Sequence, residues 1–330
     1  MTKSFVFFLI LFLTKTIFSQ ERIEGVNIVS VKEKLVFDQL KPIQQLDAEW
    51  ISIVPFCDID SSNSARLVYD QPWEYYGERL KGVRQMVQLA HENNFSVMLK
   101  PQVRESNGRY VGHINYRKKR DWKSFEQSYR TYIFAFIKIA QEENIALFCV
   151  GTELGRFVKE RPKFWKKLIK DIRKIYTGKL TYAANWDDYE KFPHWKELDY
   201  IGVDAYFPIS KKQKPTLKEL ENGWEPILAK MEKTSQLMNK KILLTEFGYR
   251  SIQRSAFKPW VHFSDEIFDE NSQVNSLEAL FKSVWKKDFV AGGFLWRWYP
   301  YHPSSGGKGN TKYTVQNKLG EEIVRKYYTF

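Results

Sequence analysis

The sequence predicts an α/β protein built as a single (β/α)8 TIM barrel, and three observations support this fold class. Short apolar, β-branched runs recur eight times, and amphipathic stretches with helical spacing lie between them. Repeated βα units of this kind imply a parallel sheet with right-handed crossovers. The first run leads into GVNIVSVKEK, which lacks the glycine-rich turn of a doubly wound nucleotide-binding sheet. A closed barrel therefore fits the chain better than an open sheet.

The eight predicted strands are near-continuous hydrophobic runs, as expected for parallel strands that are buried on both faces. They span residues 25–30, 50–56, 95–103, 146–152, 180–186, 200–207, 242–247 and 290–298. The predicted helices carry apolar residues three and four positions apart and span residues 78–92, 122–142, 161–176, 217–238, 276–286 and 317–328. No long linker and no internal repeat divides the chain, so we expect residues 21–330 to form one domain.

The first 20 residues have the features of a secretory signal peptide. Lys3 precedes an apolar run over residues 5–13, which is too short to cross a membrane, and small residues follow it. We expect cleavage next to Ser19 or Gln20 and a secreted or periplasmic location. No cysteine follows the expected cut to take a lipid, so we expect no membrane anchor.

The formal net charge of +13 raises the question of a nucleic-acid partner. The basic residues are spread over predicted helix faces and loops, and no nucleic-acid motif accompanies them, so we expect no such partner. The five histidines and two cysteines show no metal-ligand spacing, and we expect no metal and no cofactor. We expect the chain to be a monomer.

The two cysteines, Cys57 and Cys149, lie inside apolar runs, where a thiol usually behaves as a small core side chain. An exported protein permits a disulfide between them. A predicted strand separates the two residues, however, and we therefore favour two free thiols, with the disulfide as the alternative.

Two glutamates, Glu153 and Glu246, directly follow or end the fourth and seventh predicted strands. In a (β/α)8 barrel the active site lies at the carboxyl ends of the strands. Strands four and seven lie almost opposite each other around the ring, so both side chains can flank one bond. Cleavage of a glycosidic bond needs such a pair of carboxyl groups. A structural role for either glutamate, as a helix-terminal residue or a salt-bridge partner, is the alternative.

Aromatic residues add to this interpretation. Strand alternation places Trp296 and Trp298 on one face of the eighth predicted strand. If that face lines the barrel mouth, the two indoles offer a flat surface to a sugar ring; otherwise they pack the barrel top. Asn185 and Tyr206 follow or end strands five and six, where each is compatible with binding the nucleophile or a sugar, or with a structural hydrogen bond.

Seven stretches resemble glycoside hydrolases of clan A, and within it family 113, the β-mannanase-type enzymes. They are LKPQV (99–103), DWKSFEQSYRTYIFAF (121–136), FCVGTEL (148–154), YAANWDDY (182–189), DYIGVDAYFP (199–208), LLTEFGYRS (243–251) and GGFLWRWY (292–299). FCVGTEL and LLTEFGYRS together are specific, whereas each alone is weak. The resemblance implies a retaining mechanism with Glu246 as nucleophile and Glu153 as acid/base.

The resemblance also implies roles for other residues. Tyr206 resembles the residue that orients the nucleophile, and Trp296 resembles the floor beneath the cleaved sugar. The residues that are expected to shape the sugar sites are Asn185, Lys100, Trp298 and Thr152.

The chain departs from the clan pattern at three positions around the site. Thr152 stands where much of the clan has the Asn that holds the sugar 2-hydroxyl, so that contact must come from another residue such as Asn185. Gln102 stands where we expect His, and Tyr110 stands where we expect Trp. These departures leave the catalytic pair intact and affect the sugar subsites, which determine the substrate.

We therefore predict a secreted retaining hydrolase of β-1,4-mannan or manno-oligosaccharides. Action within chains and action from an end both remain open, and the long aromatic loop 250–271 is expected to close one end of the cleft. The alternatives are a clan A hydrolase of another β-glycan and a catalytically inactive sugar-binding barrel.

Overall fold

The computed structural model describes residues 22–59, 65–105, 108–261 and 266–329. The predicted signal peptide and its cleavage site lie outside these ranges. Among the described residues, none of the helices combines the length and apolar character needed to cross a bilayer.

The strands form a closed parallel barrel and a small separate sheet. In the described ranges the strands are β1 (Ile23–Ile28), β2 (Trp50–Ile53), β3 (Phe56–Ile59), β4 (Leu67–Val68), β5 (Ser96–Leu99), β6 (Gln102–Glu105), β7 (Leu147–Thr152), β8 (Lys179–Asn185), β9 (Ile201–Asp204), β10 (Ile242–Phe247) and β11 (Val290–Trp298). The barrel has the strand order β1-β11-β10-β9-β8-β7-β5-β2. Each of the eight predicted strands contributes to it, so the predicted fold class is confirmed.

Helices surround the barrel, as a parallel sheet requires. They are α1 (Lys41–Gln44), α2 (Leu80–Glu92), α3 (Lys119–Glu142), α4 (Gly155–Glu160), α5 (Pro162–Ile172), α6 (Leu217–Met238), α7 (Glu270–Leu280), which continues into a π-helical turn (Phe281–Trp285), and α8 (Leu319–Tyr328). The start of α6 is fixed by a capping box, in which the Thr216 hydroxyl accepts the Glu219 N–H and the Glu219 carboxylate accepts the Thr216 N–H.

Two of the predicted strands are broken by prolines. The prediction of one strand over residues 50–56 and another over 95–103 was wrong, because Pro55 and Pro101 lack the N–H that a continuing ladder needs. Beyond each proline the chain starts a new strand, and β3 and β6 pair with each other in a three-stranded sheet with β4. This sheet begins with Gln102 paired to Phe56 and extends outward from the barrel mouth.

The core has two layers. The larger cluster lies between the strands and the helices, and the smaller fills the barrel interior with Ile23, Met98, Leu147, Leu243, Ala291 and Phe294. Gly25 allows this filling, because a Cβ there would lie 2.5 Å from the ring of Phe294. The plugged interior leaves the carboxyl ends of the strands as the place where polar side chains converge. Cys57 and Cys149 are both buried and free, as predicted.

Candidate active site

Glu246 lies near the end of β10, where its carboxylate is buried and held by three donors. The Tyr206 hydroxyl donates a hydrogen bond to Oε2 (2.7 Å), and the Gln102 amide donates to Oε1 (2.9 Å). The Lys100 ammonium forms an ion pair and hydrogen bond with the same Oε1. Three donors stabilise negative charge on this carboxylate and fix its orientation.

Glu153 directly follows β7 and is half-buried at the mouth. Its backbone has φ of 52°, a left-handed conformation that residues other than glycine rarely adopt. Its N–H donates a hydrogen bond to the Ala183 carbonyl of β8 (2.8 Å). Burial raises the pKa of the Glu153 carboxyl well above its usual range, and the negative charges of Asp204 and Glu246 raise it further. The raised pKa favours the protonated carboxyl, which can donate its proton.

Asp204, at the end of β9, is a member of the site that sequence analysis missed. It is fully buried, its Oδ1 accepts a hydrogen bond from the Thr245 hydroxyl (2.8 Å), and the same oxygen lies 3.7 Å from Nζ of Lys100. Burial and then the charge of Glu246 raise the pKa of Asp204 to about 7, and Lys100 opposes that rise. A charged residue inside the apolar run IGVDAYF was the signal that could have revealed it.

Lys100 also has a different place from the one predicted. Its side chain has no exposed surface, and its ammonium lies between the carboxylates of Glu246 and Asp204. We therefore assign it to the carboxylates rather than to a sugar. Gln102, noted in the sequence only as a departure from the clan pattern, contacts Glu246 directly.

The two tryptophans of β11 do not share a face. Trp296 is half-buried in the mouth, with Nζ of Lys100 5.7 Å from its ring centroid, whereas Trp298 is fully buried in the outer core and packs against His302. The prediction failed because Val26 pairs with Leu295 but Ile28 pairs with Trp298, so that β11 contains one extra residue that breaks the alternation. Trp296 alone has the position of a sugar platform.

The remaining predicted sugar-binding residues lie at the rim of the mouth. Asn185 ends β8 and is half-buried; its amide donates to an Asp187 carboxylate oxygen (3.0 Å), and its side-chain oxygen accepts the Trp186 N–H. Thr152 is buried at the end of β7, with its hydroxyl oxygen 3.9 Å from the Cys149 sulfur. Neither contacts Glu246 or Glu153 by a hydrogen bond in the described part of the chain.

The loop that follows β10 packs against the rim near β8. Its Trp260 ring stacks on Trp186 with centroids 4.9 Å apart, and Trp260 keeps 40% of its surface exposed. An ion pair between the buried Arg250 and the half-buried Glu266 holds the base of the loop, with a second guanidinium contact of 2.6 Å. Residues 262–265, which include the predicted aromatic Phe263, lie outside the described ranges.

The arrangement brings together a carboxylate held by three donors, a carboxyl with a raised pKa and an aromatic surface. Within the described ranges, His, Cys, Asp and Glu form no group of three or more that could hold a metal ion. A carboxylate of this kind is able to act as a nucleophile, and a carboxyl with a raised pKa is able to transfer a proton.

Comparison with known proteins gives a family and a fold. Residues 30–318 match the sequence profile of Glycoside Hydrolase Family 113. A GH113 β-mannanase from Alicyclobacillus acidocaldarius, solved in complex with ManMIm, has a TM-score of 0.81 at 20% identity, over 93% of this chain and 97% of that one. A complex of a GH113 β-1,4-mannanase has a TM-score of 0.80 at 22% identity, over 94% and 99%.

More distant folds also match. A β-glucuronidase from Faecalibacterium prausnitzii has a TM-score of 0.63 at 14% identity, over 93% of this chain and 49% of that one. No curated protein sequence is significantly similar. At these identities the structural likenesses establish the barrel fold, and the profile match establishes the family.

Proposed function

This chain belongs to glycoside hydrolase family 113, and from that premise we propose that it hydrolyses β-1,4-mannosidic bonds in mannan or manno-oligosaccharides with retention of configuration. The family match supports glycoside hydrolysis, and the β-mannanases among the structural neighbours support mannan as the substrate. The observation that carries the proposal is the pairing of a rigidly held, ionised Glu246 with a Glu153 whose pKa is raised.

In the first step an oxygen of Glu246 attacks the anomeric carbon while the bond from that carbon to the leaving oxygen breaks. Glu153 gives its proton to the leaving oxygen, which departs as a sugar hydroxyl. Tyr206 and Gln102 hold the two oxygens of Glu246 from different directions, so the carboxylate does not rotate as the bond forms. The products of this step are a glycosyl ester on Glu246 and an ionised Glu153.

In the second step water attacks the anomeric carbon and Glu153 accepts a proton from that water. The change of role follows from charge: the carboxylate of Glu246 is one of the causes that raise the pKa of Glu153, and the ester has no charge. The pKa of Glu153 therefore falls in the intermediate, and its carboxylate becomes a base. Breaking the ester restores ionised Glu246 and protonated Glu153.

A catalytically inactive sugar-binding barrel is the competing function from a different class. A binding protein has no use for a buried carboxylate that three donors hold ready beside a second, protonated carboxyl. Buried charges are costly, and their pairing at the mouth of the barrel favours catalysis.

The test is incubation of the purified mature chain with mannan, glucan and xylan, followed by identification of the products. We expect mannan to be cleaved fastest, and the Glu246→Ala variant to keep less than about 1% of that activity. Cleavage of glucan or xylan in preference to mannan would change the assigned substrate but would still support glycoside hydrolysis. No cleavage of any β-glycan would refute the proposal.

We also propose that the protein is exported and works as a free monomer outside the cytoplasm. The charge and apolar pattern of residues 1–20 supports export. Expression of the full chain followed by N-terminal sequencing of the exported protein is expected to give a start close to Gln20 or Glu21. An intact Met1 in the purified protein would contradict export.

A further inference from the structure

Lys100 is the only ammonium group that the described residues place between the two buried carboxylates Glu246 and Asp204. All three groups are almost completely inaccessible to solvent, with side-chain exposures of 0% for Lys100 and Asp204 and 8% for Glu246. Lys100 makes its hydrogen bond to Glu246 and lies 3.7 Å from Asp204. The second carboxylate oxygen of Asp204, Oδ2, is buried and has no hydrogen-bond partner in the described structure.

We propose that Asp204 is a positioning residue that holds Lys100. When Glu246 becomes a neutral glycosyl ester, the Lys100 ammonium pairs with the Asp204 carboxylate instead. This inference rests on the double-displacement function proposed above and adds the means by which the barrel balances its buried charge. The ammonium already lies 3.7 Å from Oδ1 of Asp204, and the unpartnered Oδ2 gives this carboxylate a second free acceptor.

The need for such a device follows from the charges on the two sides of the first step. Before the step, Lys100 faces a carboxylate that must become reactive, and a cation paired with that carboxylate alone would stabilise it too well. After the step, the ester no longer balances the cation, and a buried unpaired ammonium is costly. A second carboxylate weakens the first pairing and supplies the second, so Lys100 has a carboxylate partner both before and after the step.

Several ionisable groups around Asp204 would be affected if the Lys100 ammonium changed its carboxylate partner. Lys100 faces it from the end of β5 and Glu246 faces it from β10, and Glu153 lies across the mouth. The Cys149 thiol and the hydroxyls of Tyr206 and Tyr110 also interact with its charge. Burial keeps these thiol and phenol groups protonated, since it raises the pKa of each. Lys100, Glu246 and Glu153 are therefore the charged partners that decide the balance.

The test is a double-mutant cycle with Lys100→Met and Asp204→Asn. Lys100→Met leaves two buried carboxylates without their cation, and we expect kcat/KM to fall at least about 100-fold. Adding Asp204→Asn to Lys100→Met removes the surplus carboxylate, and we expect it to restore at least about 10-fold of that loss. Ser52→Ala is the matched control, because Ser52 is a fully buried polar residue of the barrel interior with an unpartnered hydroxyl.

The pH profile separates this role from a structural one. Asp204 is among the causes that raise the pKa of Glu153, and Lys100 is a cause that lowers it. Asp204→Asn should therefore move the alkaline limb of kcat/KM to lower pH, and Lys100→Met should move it to higher pH. Ser52→Ala should leave the limb in place. A double variant no more active than Lys100→Met, or an alkaline limb that Asp204→Asn does not move, would overturn the proposal.

A readout without substrate keeps this proposal separate from the proposed function. At pH 8 we expect Lys100→Met to lower the Tm by roughly 6 °C or more, and the double variant to regain at least half of that loss. If the wild-type protein cleaves no glycan, the function fails while the thermal cycle still decides whether Lys100 and Asp204 balance each other. Additive Tm losses in the double variant would refute the pairing itself.

Discussion

Replacing Glu153 by Gln removes the transferable proton and keeps nearly the same side-chain shape. The pKa of Glu153 is raised by burial first and by Asp204 and Glu246 next, which favours the protonated carboxyl, and the amide copies the size and neutrality of that form. General acid catalysis contributes about 10²–10⁴-fold, which corresponds to about 2.7–5.4 kcal/mol at 1.36 kcal/mol per factor of ten. We expect the loss on mannan to lie in that range.

The size of the loss should depend on the leaving group. A dinitrophenyl mannoside has a leaving group that departs without protonation. The rate at which this substrate glycosylates Glu246 in the Glu153→Gln variant should therefore be within about 10-fold of the wild-type rate. Stopped-flow release of dinitrophenol measures the glycosylation rate with this substrate. Steady-state assays on manno-oligosaccharides measure the loss with a leaving group that needs protonation. The matched control is Glu160→Gln, an exposed glutamate of α4.

The pH profile gives a second measurement on the same variant. Because the pKa of Glu153 is raised, the wild-type alkaline limb should lie above the usual carboxyl range, and it should vanish in Glu153→Gln. Equal losses on both substrates, or an alkaline limb that remains in the variant, would refute the assignment of Glu153 as the acid.

Three further predictions concern the groups around the site. Tyr206→Phe removes the 2.7 Å hydrogen bond to Glu246 and should lower kcat roughly 10- to 100-fold with little change in folding, as steady-state kinetics and circular dichroism would show. The pKa of Asp204 is raised to about 7, so the stability that its protonated form contributes is lost as the pH rises through that value. Between pH 5 and 8 the Tm of Asp204→Asn, measured by thermal unfolding, should therefore fall less than the Tm of the wild type. Arg250→Met leaves the half-buried Glu266 without its guanidinium partner and should lower the free energy of unfolding, measured in urea, by about 1–3 kcal/mol.

The barrel itself could be predicted because it depends on local patterns. Parallel strands buried on both faces leave apolar runs in the sequence, and α6 was predicted with the bounds that the structure has, Leu217–Met238. The positions of Glu153 and Glu246 followed from the rule that barrel active sites lie at the carboxyl ends of strands.

The details of the site could not be predicted because they depend on contacts between distant parts of the chain. Lys100 and Glu246 are separated by 146 positions, and no local pattern shows that a lysine will be buried against a carboxylate. The extra residue in β11 that turns Trp298 into the outer core is set by the register with β1 and not by strand alternation. Asp204 was overlooked because one acid in an apolar run was interpreted as part of a strand.

The central claim is that Glu246 forms a covalent glycosyl-enzyme. A 2-deoxy-2-fluoro mannoside with a good leaving group slows the second step and lets the ester accumulate. After tryptic digestion, mass spectrometry should find one sugar on the peptide of residues 242–250, which contains Glu246. The Glu246→Ala variant should carry no label.

The same reaction also gives the contradicting result. A label on the peptide that contains Glu153, or no label together with an α-anomer as the first product from a β-linked substrate in proton NMR, would exclude the mechanism. A single label on Glu246 with a β-anomer formed first is the outcome that the structure predicts.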